Sequence, residues 1–272
     1  MSTPQDENRS YLLRLWIPAL VLGGLIGVLI LAALTSGEPT RTVPIAVGVV
    51  ITVIMFISTR SRKKRQIARM LQVPAPDWFL RSSAASMVRI PHGAFFAAAN
   101  SATILALYGR FDEAERALEG VAWETAPPLV QAQGSAAHAV VAYARGAITD
   151  GLDYAVIAGH QAVLDVAAPG ARTSELAFRL YRNLGLALAG RATDTTREEL
   201  RRAFAQLPLL GQILAAWGLA ADARNNGAVS ELETMQAFIK RNAPHFSPSV
   251  EAGIVPALRN ETTGVLEGEN RE

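Results

Sequence analysis

The sequence predicts an all-α protein, with an N-terminal transmembrane helical hairpin followed by an array of α-α hairpins. Three observations point there. Two uncharged runs of bilayer length stand within the first 59 residues. Beyond Met70 the apolar spacing turns helical, broken by short Gly- and Pro-marked turns and with almost no strand signal. Half of the 272 residues are hydrophobic and only 18% are charged, below the roughly 25% usual for soluble domains. That balance fits a membrane segment joined to an ordinary globular part.

A short tail, residues 1–14, precedes the first run, "LWIPALVLGGLIGVLILAAL" at 15–34. Twenty helical residues span about 30 Å, the thickness of a bilayer core. The second run, "TVPIAVGVVITVIMFIST" at 42–59, is rich in β-branched residues. These form helices poorly in water, but in lipid every backbone group must be satisfied internally, which overrides the preference. The loop between the runs, residues 35–41, carries Gly37 and Pro39 and makes a tight connection. A cleaved signal peptide is the alternative for the first run. Its length and the second span argue against that. Gly23 and Gly27 form a GxxxG spacing that admits close helix packing, either of the two spans on each other or of two copies of the chain.

Orientation follows from the cations. Arg60, Arg62, Lys63, Lys64, Arg65 and Arg69 follow the second span, Arg9 and Arg14 precede the first, and the loop holds Arg41 beside Glu38. Positive charge stays on the cytoplasmic side, so both termini are expected in the cytoplasm of a bacterial inner-membrane protein. The same cluster is expected to attract anionic headgroups. A nuclear-import or nucleic-acid reading of "RSRKKR" fits the letters but not their place behind a span. Without these six cations, 20 basic residues stand against 24 acidic ones. The pI near 9 is therefore a local effect, and no nucleic-acid partner is expected. The absence of cysteine excludes disulfides and thiolate chemistry.

Residues 60–90 read as a basic juxtamembrane segment and linker, because Pro74 and Pro76 stop a helix continuing from the span. Trp78, Phe79 and Leu80 form an apolar knot that suits either the membrane interface or the following domain. Helices are then expected near 92–107, 111–122, 127–145, 149–167, 173–190, 194–206, 208–224 and 228–241, with a short one near 248–259 in an acidic tail, 245–272.

Within 91–244 the residues carry a resemblance. "NSATILALYGRFDEAERAL" resembles a tetratricopeptide-repeat (TPR) unit, with Ala102 in the small position of the first helix, Gly109 at the turn and Ala114 in the second helix. "YRNLGLALAGR" is similar to a second first helix with Gly185 in the small position, and "LAAWGLAADARNNG" offers Gly218. A weaker unit, "SAAHAVVAYARGAITDG", has Ala139. The small positions lie 37, 46 and 33 residues apart against a family period of about 34, so the array is irregular or carries an insertion near "DVAAPGARTSE". A generic helical bundle is the alternative.

No chemistry is legible. His92, His138, His160 and His245 are scattered, and the sequence holds no HExxH, phosphate loop or GxSxG elbow. The expectation is a non-enzyme without cofactor or metal. The resemblance implies a groove lined by first helices, with Asn100 and Asn183 as facing amides and Arg179 and Arg182 as a clamp for a partner's carboxylate. Otherwise the asparagines cap or bridge neighbouring helices and the arginines are solvated. These features suggest a membrane-held interaction scaffold, an accessory subunit of a membrane complex. A self-associating structural subunit and a small-ligand-binding accessory factor of an enzyme are the alternatives.

Overall fold

The structure, a computed structural model, describes Gly27 and residues 67–87, 90–162 and 171–248. Among the described residues the chain is helical throughout and contains no strand. None of their helices is long and apolar enough to cross a membrane. The expected spans lie outside the described residues, apart from the helical and exposed Gly27. Gly23, Arg60, Arg62, Lys63, Lys64, Arg65 and the short helix expected near 248–259 lie outside as well; Arg69 is described, exposed on a helical segment at 67–72.

Nine α-helices then follow: α1 (Asp77–Met87), α2 (Gly93–Leu107), α3 (Phe111–Glu119), α4 (Pro128–Arg145), α5 (Ile148–Gln161), α6 (Ala171–Leu188), α7 (Asp194–Gln206), α8 (Leu209–Asn225) and α9 (Val229–Asn242), a count of the described residues only. A 3-10 turn, Trp123–Thr125, precedes α4. Helix α1 lies where the sequence suggested a linker. Buried Pro76 stands just ahead of it and Asp77 lies in its first turn, so the prolines that end one helix introduce the next. The helix expected to run to 167 ends at Gln161.

Helices α2 to α9 form four hairpins, and one turn device closes the first helix of each. Gly109, Gly146, Gly190 and Gly227 all have φ between 69° and 86°. At each, the glycine N–H donates to the carbonyl three residues back, and the next N–H donates to the carbonyl five back. The second bonds run Arg110 to Leu105, Ala147 to Ala142, Arg191 to Leu186 and Ala228 to Ala223, at 2.8–2.9 Å. This Schellman arrangement satisfies carbonyls that a helix end would otherwise leave unpaired, and its left-handed residue favours glycine. The four glycines are 37, 44 and 37 residues apart, so the excess length falls between the second and third turns.

Packing repeats as well. Each first helix (α2, α4, α6, α8) rests on its own partner, α2, α4 and α6 also rest on the first helix of the next hairpin, and each of α3, α5 and α7 touches the first helix that follows it. Small residues permit these approaches. Ala102, Ala114 and Ala139 are wholly buried. Tyr143 of α4 is wedged between α5 and α6: a Cβ at Gly185 would lie 2.6 Å from its Cζ and 2.7 Å from Leu152 Cδ2, and one at Gly151 would meet the same ring. The Tyr143 hydroxyl donates to the Tyr181 carbonyl at 3.0 Å, which fixes the ring. Gly218 sits more loosely, with Leu200 side-chain atoms 3.2–3.3 Å from a Cβ there. Gly134 has a third role, since the Trp123 ring lies against it while its Nε1 donates to the Leu118 carbonyl.

Helix α8 is buried without interruption from Ile213 to Ala223. A helix apolar all round belongs in a core. Helices α6, α7 and α9 surround it. At its N-terminal end the covering comes from segments at both ends of the described residues and from Tyr108: Leu71 (1% exposed), Ile213 and Ala243 form one cluster with Ile67, Tyr108, Leu209, Phe238 and Phe246 around it.

Candidate interaction surface

Of the four residues expected to line a groove, three fall on α6, but two of these are engaged within the hairpin. Glu175, Arg179 and Asn183 follow at spacings of four residues and so share a side of the helix. The Asn183 amide, 6% exposed, donates to Glu199 Oε2 on α7 at 2.6 Å. Arg179 donates to Glu199 Oε1 at 2.8 Å and to Glu175 Oε1 at 2.6 Å. Burial opposes ionisation of Glu199, but the bonds from Asn183 and Arg179 outweigh it and hold the carboxyl below its ordinary value of 4.5. Of the two roles the sequence left open for Asn183, bridging neighbouring helices is the one these contacts describe. Asn183 does not face an open groove, because a buried amide needs a partner and Glu199 supplies it from the next helix.

Arg182 and Asn100 differ from that pair. Arg182 is exposed and has no ion pair among the described residues. Asn100 is exposed on α2, its amide 3.9 Å from Met87 Sδ on α1. The two stand on the first helices of different hairpins with α4 between them. On α4 itself, Gln131 and Ser135 are tied to Gln161 of α5. Polar groups on the first helices are therefore partly satisfied by neighbouring helices.

A latch that no motif in the sequence marks joins the two ends of the described residues. Tyr108, in the turn after α2, donates to the carbonyls of Met70 (2.7 Å) and Val73 (2.8 Å). Arg110 makes a two-pronged pair with Asp77 at 2.7 and 2.9 Å and a second with Glu113. These bonds hold the Asp77 carboxyl below its ordinary range. From the other end, Ser247 N donates to the Leu107 carbonyl at 2.7 Å, His245 stacks on Tyr108, and Gln72 reaches the Arg241 carbonyl. Phe246 meets the Trp217 ring edge-on at 5.5 Å. Met70, Leu71 and Pro76, within the stretch that reads as a linker, are buried.

The knot at 78–80 divides its loyalties. Leu80 packs on the main core, whereas Trp78 is 64% exposed with the Phe79 ring edge-on at 4.9 Å. The histidines are not brought together: His92 precedes α2, His138 stacks on Tyr154, His160 is exposed on α5, and His245 lies against Tyr108. Among the described residues no three His, Asp or Glu side chains are grouped to hold a metal ion. No family model, curated protein or solved structure matches the chain.

Proposed function

We propose that this chain is a membrane-anchored protein-protein interaction scaffold that presents a TPR-like helical domain to the cytoplasm as an accessory subunit of a membrane complex. Residues 15–34 and 42–59 form its inner-membrane hairpin, with both termini cytoplasmic and anionic headgroups around the basic cluster. The observation that carries the reading is the fastening of helical residues 67–72 to both the first turn and the last hairpin. A chain leaving the bilayer at Thr59 would enter the helical array within eight residues, so the array would stand at the membrane rather than on a long tether. The shared glycine turns and the first-helix stacking support treating the hairpins as degenerate TPR units. Arg182 and Asn100 are the polar groups left to meet a partner.

Detergent purification of the full chain tests this, with Arg182→Glu/Asn100→Ala as comparison. A protein recovered in constant ratio with the parent and reduced at least about tenfold with the variant is the expected result, since an interface charge reversal costs over a kcal/mol. A parent chain that purifies alone sinks the scaffold reading. A self-associating structural subunit has one observation in its favour, the exposed Tyr154, Val156 and Ile157 on α5. A concentration-dependent oligomer lost in Ile157→Glu would select it.

A further inference from the structure

We infer that the outer face of α1, bearing Trp78 and Arg81, rests on the headgroup layer of an anionic bilayer and so sets which side of the helical domain faces the membrane. The inference rests on the anchored reading. It starts from reach. Seven residues separate Thr59 from Ile67, and the eight steps from one to the other cover about 28 Å when fully extended. A domain of this size has a diameter on the order of 40 Å. The tether is shorter than the domain, and residues 67–73 are fixed to it by Tyr108 and the Leu71 cluster. The side on which the chain enters is held nearest the headgroups, and the opposite side cannot reach them.

Helix α1 follows that entry segment and packs on α2 through its other side, where Leu80 joins the core. Trp78 and Arg81, one turn apart, share a face. Both are exposed, and Trp78 exposes a larger fraction of itself than any other large hydrophobic residue among those described. An indole gains from a headgroup layer what it cannot gain from water, a polar rim for its N–H and an apolar side for its ring. Charge agrees. Between residues 67 and 87 the cations are Arg69 and Arg81, and the one acid, Asp77, is bound by Arg110. Glu113, the next acid at that pair, is held by the same guanidinium. The face offers headgroup phosphates the exposed Arg81, and the two carboxylates beside it are both engaged by Arg110.

The chain has no cysteine, so a single spin label reports one position. Ala85→Cys places it on exposed α1, and Ala205→Cys on exposed α7 serves as control. Each full-length chain is put into nanodiscs of phosphatidylcholine with or without phosphatidylglycerol, containing a nickel-chelating headgroup. The label at 85 is expected to relax severalfold faster than that at 205. Trp78→Ser/Arg81→Ser should remove most of the difference, and loss of the anionic lipid should weaken it, a single cation near the surface being worth about fivefold. Equal relaxation at the two sites in a carbonate-resistant, integrated chain overturns the inference and leaves the anchor standing. A chain extracted by carbonate removes the anchor, and the inference falls with it.

Discussion

The stack of hairpins and the latch that closes it are held by different kinds of contact. The stack is local. Each helix meets the next one in the chain, glycine turns at 109, 146, 190 and 227 repeat one hydrogen-bond pattern, and alanine or glycine stands where helices cross. The latch is built once and from afar. It joins residues 70–77, 107–110 and 241–247: the bonds of Tyr108 and Arg110 close loops of 33–38 residues, and that from Gln72 to Arg241 closes one of 169. A repeated local device tolerates the loss of one copy because its neighbours persist. A single long-range closure has no second copy, and the entropy of bringing its ends together is recovered only when all its parts form.

That difference ranks the expected effects. Leu71→Ala empties a fully buried site shared by both ends of the described chain; it is expected to cost about 2–5 kcal/mol in thermal or denaturant unfolding. Tyr108→Phe, which removes the one O–H shared between two carbonyls of the same segment, should cost about 1–2 kcal/mol. In both variants hydrogen exchange should accelerate first near Ile213 and only later at the α4–α6 crossing. Uniform acceleration would show that latch and stack open as one unit.

Within the stack, one substitution made at two glycines should give opposite signs. Gly185→Ala drives a Cβ into a Tyr143 ring fixed by its hydroxyl, and overpacking of this kind costs about 1–3 kcal/mol. Gly218→Ala meets only the ends of leucine side chains, at 3.2 Å or more. There the helical preference for alanine, about 1 kcal/mol, should leave stability unchanged or slightly raised. Equal losses at both sites would remove the distinction between a filled crossing and a loose one.

Acid gives the smallest effect. The Glu199 carboxyl is held below its ordinary 4.5, so its contribution is complete above that pH and fades as pH falls through the lower folded value. Glu199→Gln should lose stability at neutral pH and show a flatter acid limb than the parent chain. A parallel acid limb would mean that the Asn183 and Arg179 bonds do not favour the charged form.

How far the sequence reaches follows from the same contrast. Helices α2, α4, α7, α8 and α9 lie within a residue or two of their expected bounds, because periodicity and punctuation are local signals. Gly109 is legible as a turn residue and Gly185 as a close-packing one, although the tyrosine that makes Gly185 critical lies 42 residues earlier and leaves no trace in the spacing. Asn183 was singled out by its place in a repeat pattern. Its burial and its bond to Glu199 depend on how α7 folds back, which the pattern does not specify. The latch was invisible for the same reason: Pro74 and Pro76 read as a break, and nothing in "QVPAPDWFL" says that Tyr108 and Ser247 will meet near it.

The anchored, cytoplasm-facing arrangement is tested most directly by paired topology reporters fused after Pro39 and at Glu272. A reporter active only outside the cytoplasm should be active at 39 and silent at 272, with a cytoplasmic reporter giving the reverse. An externally active fusion at 272 with a silent one at 39 would contradict the account.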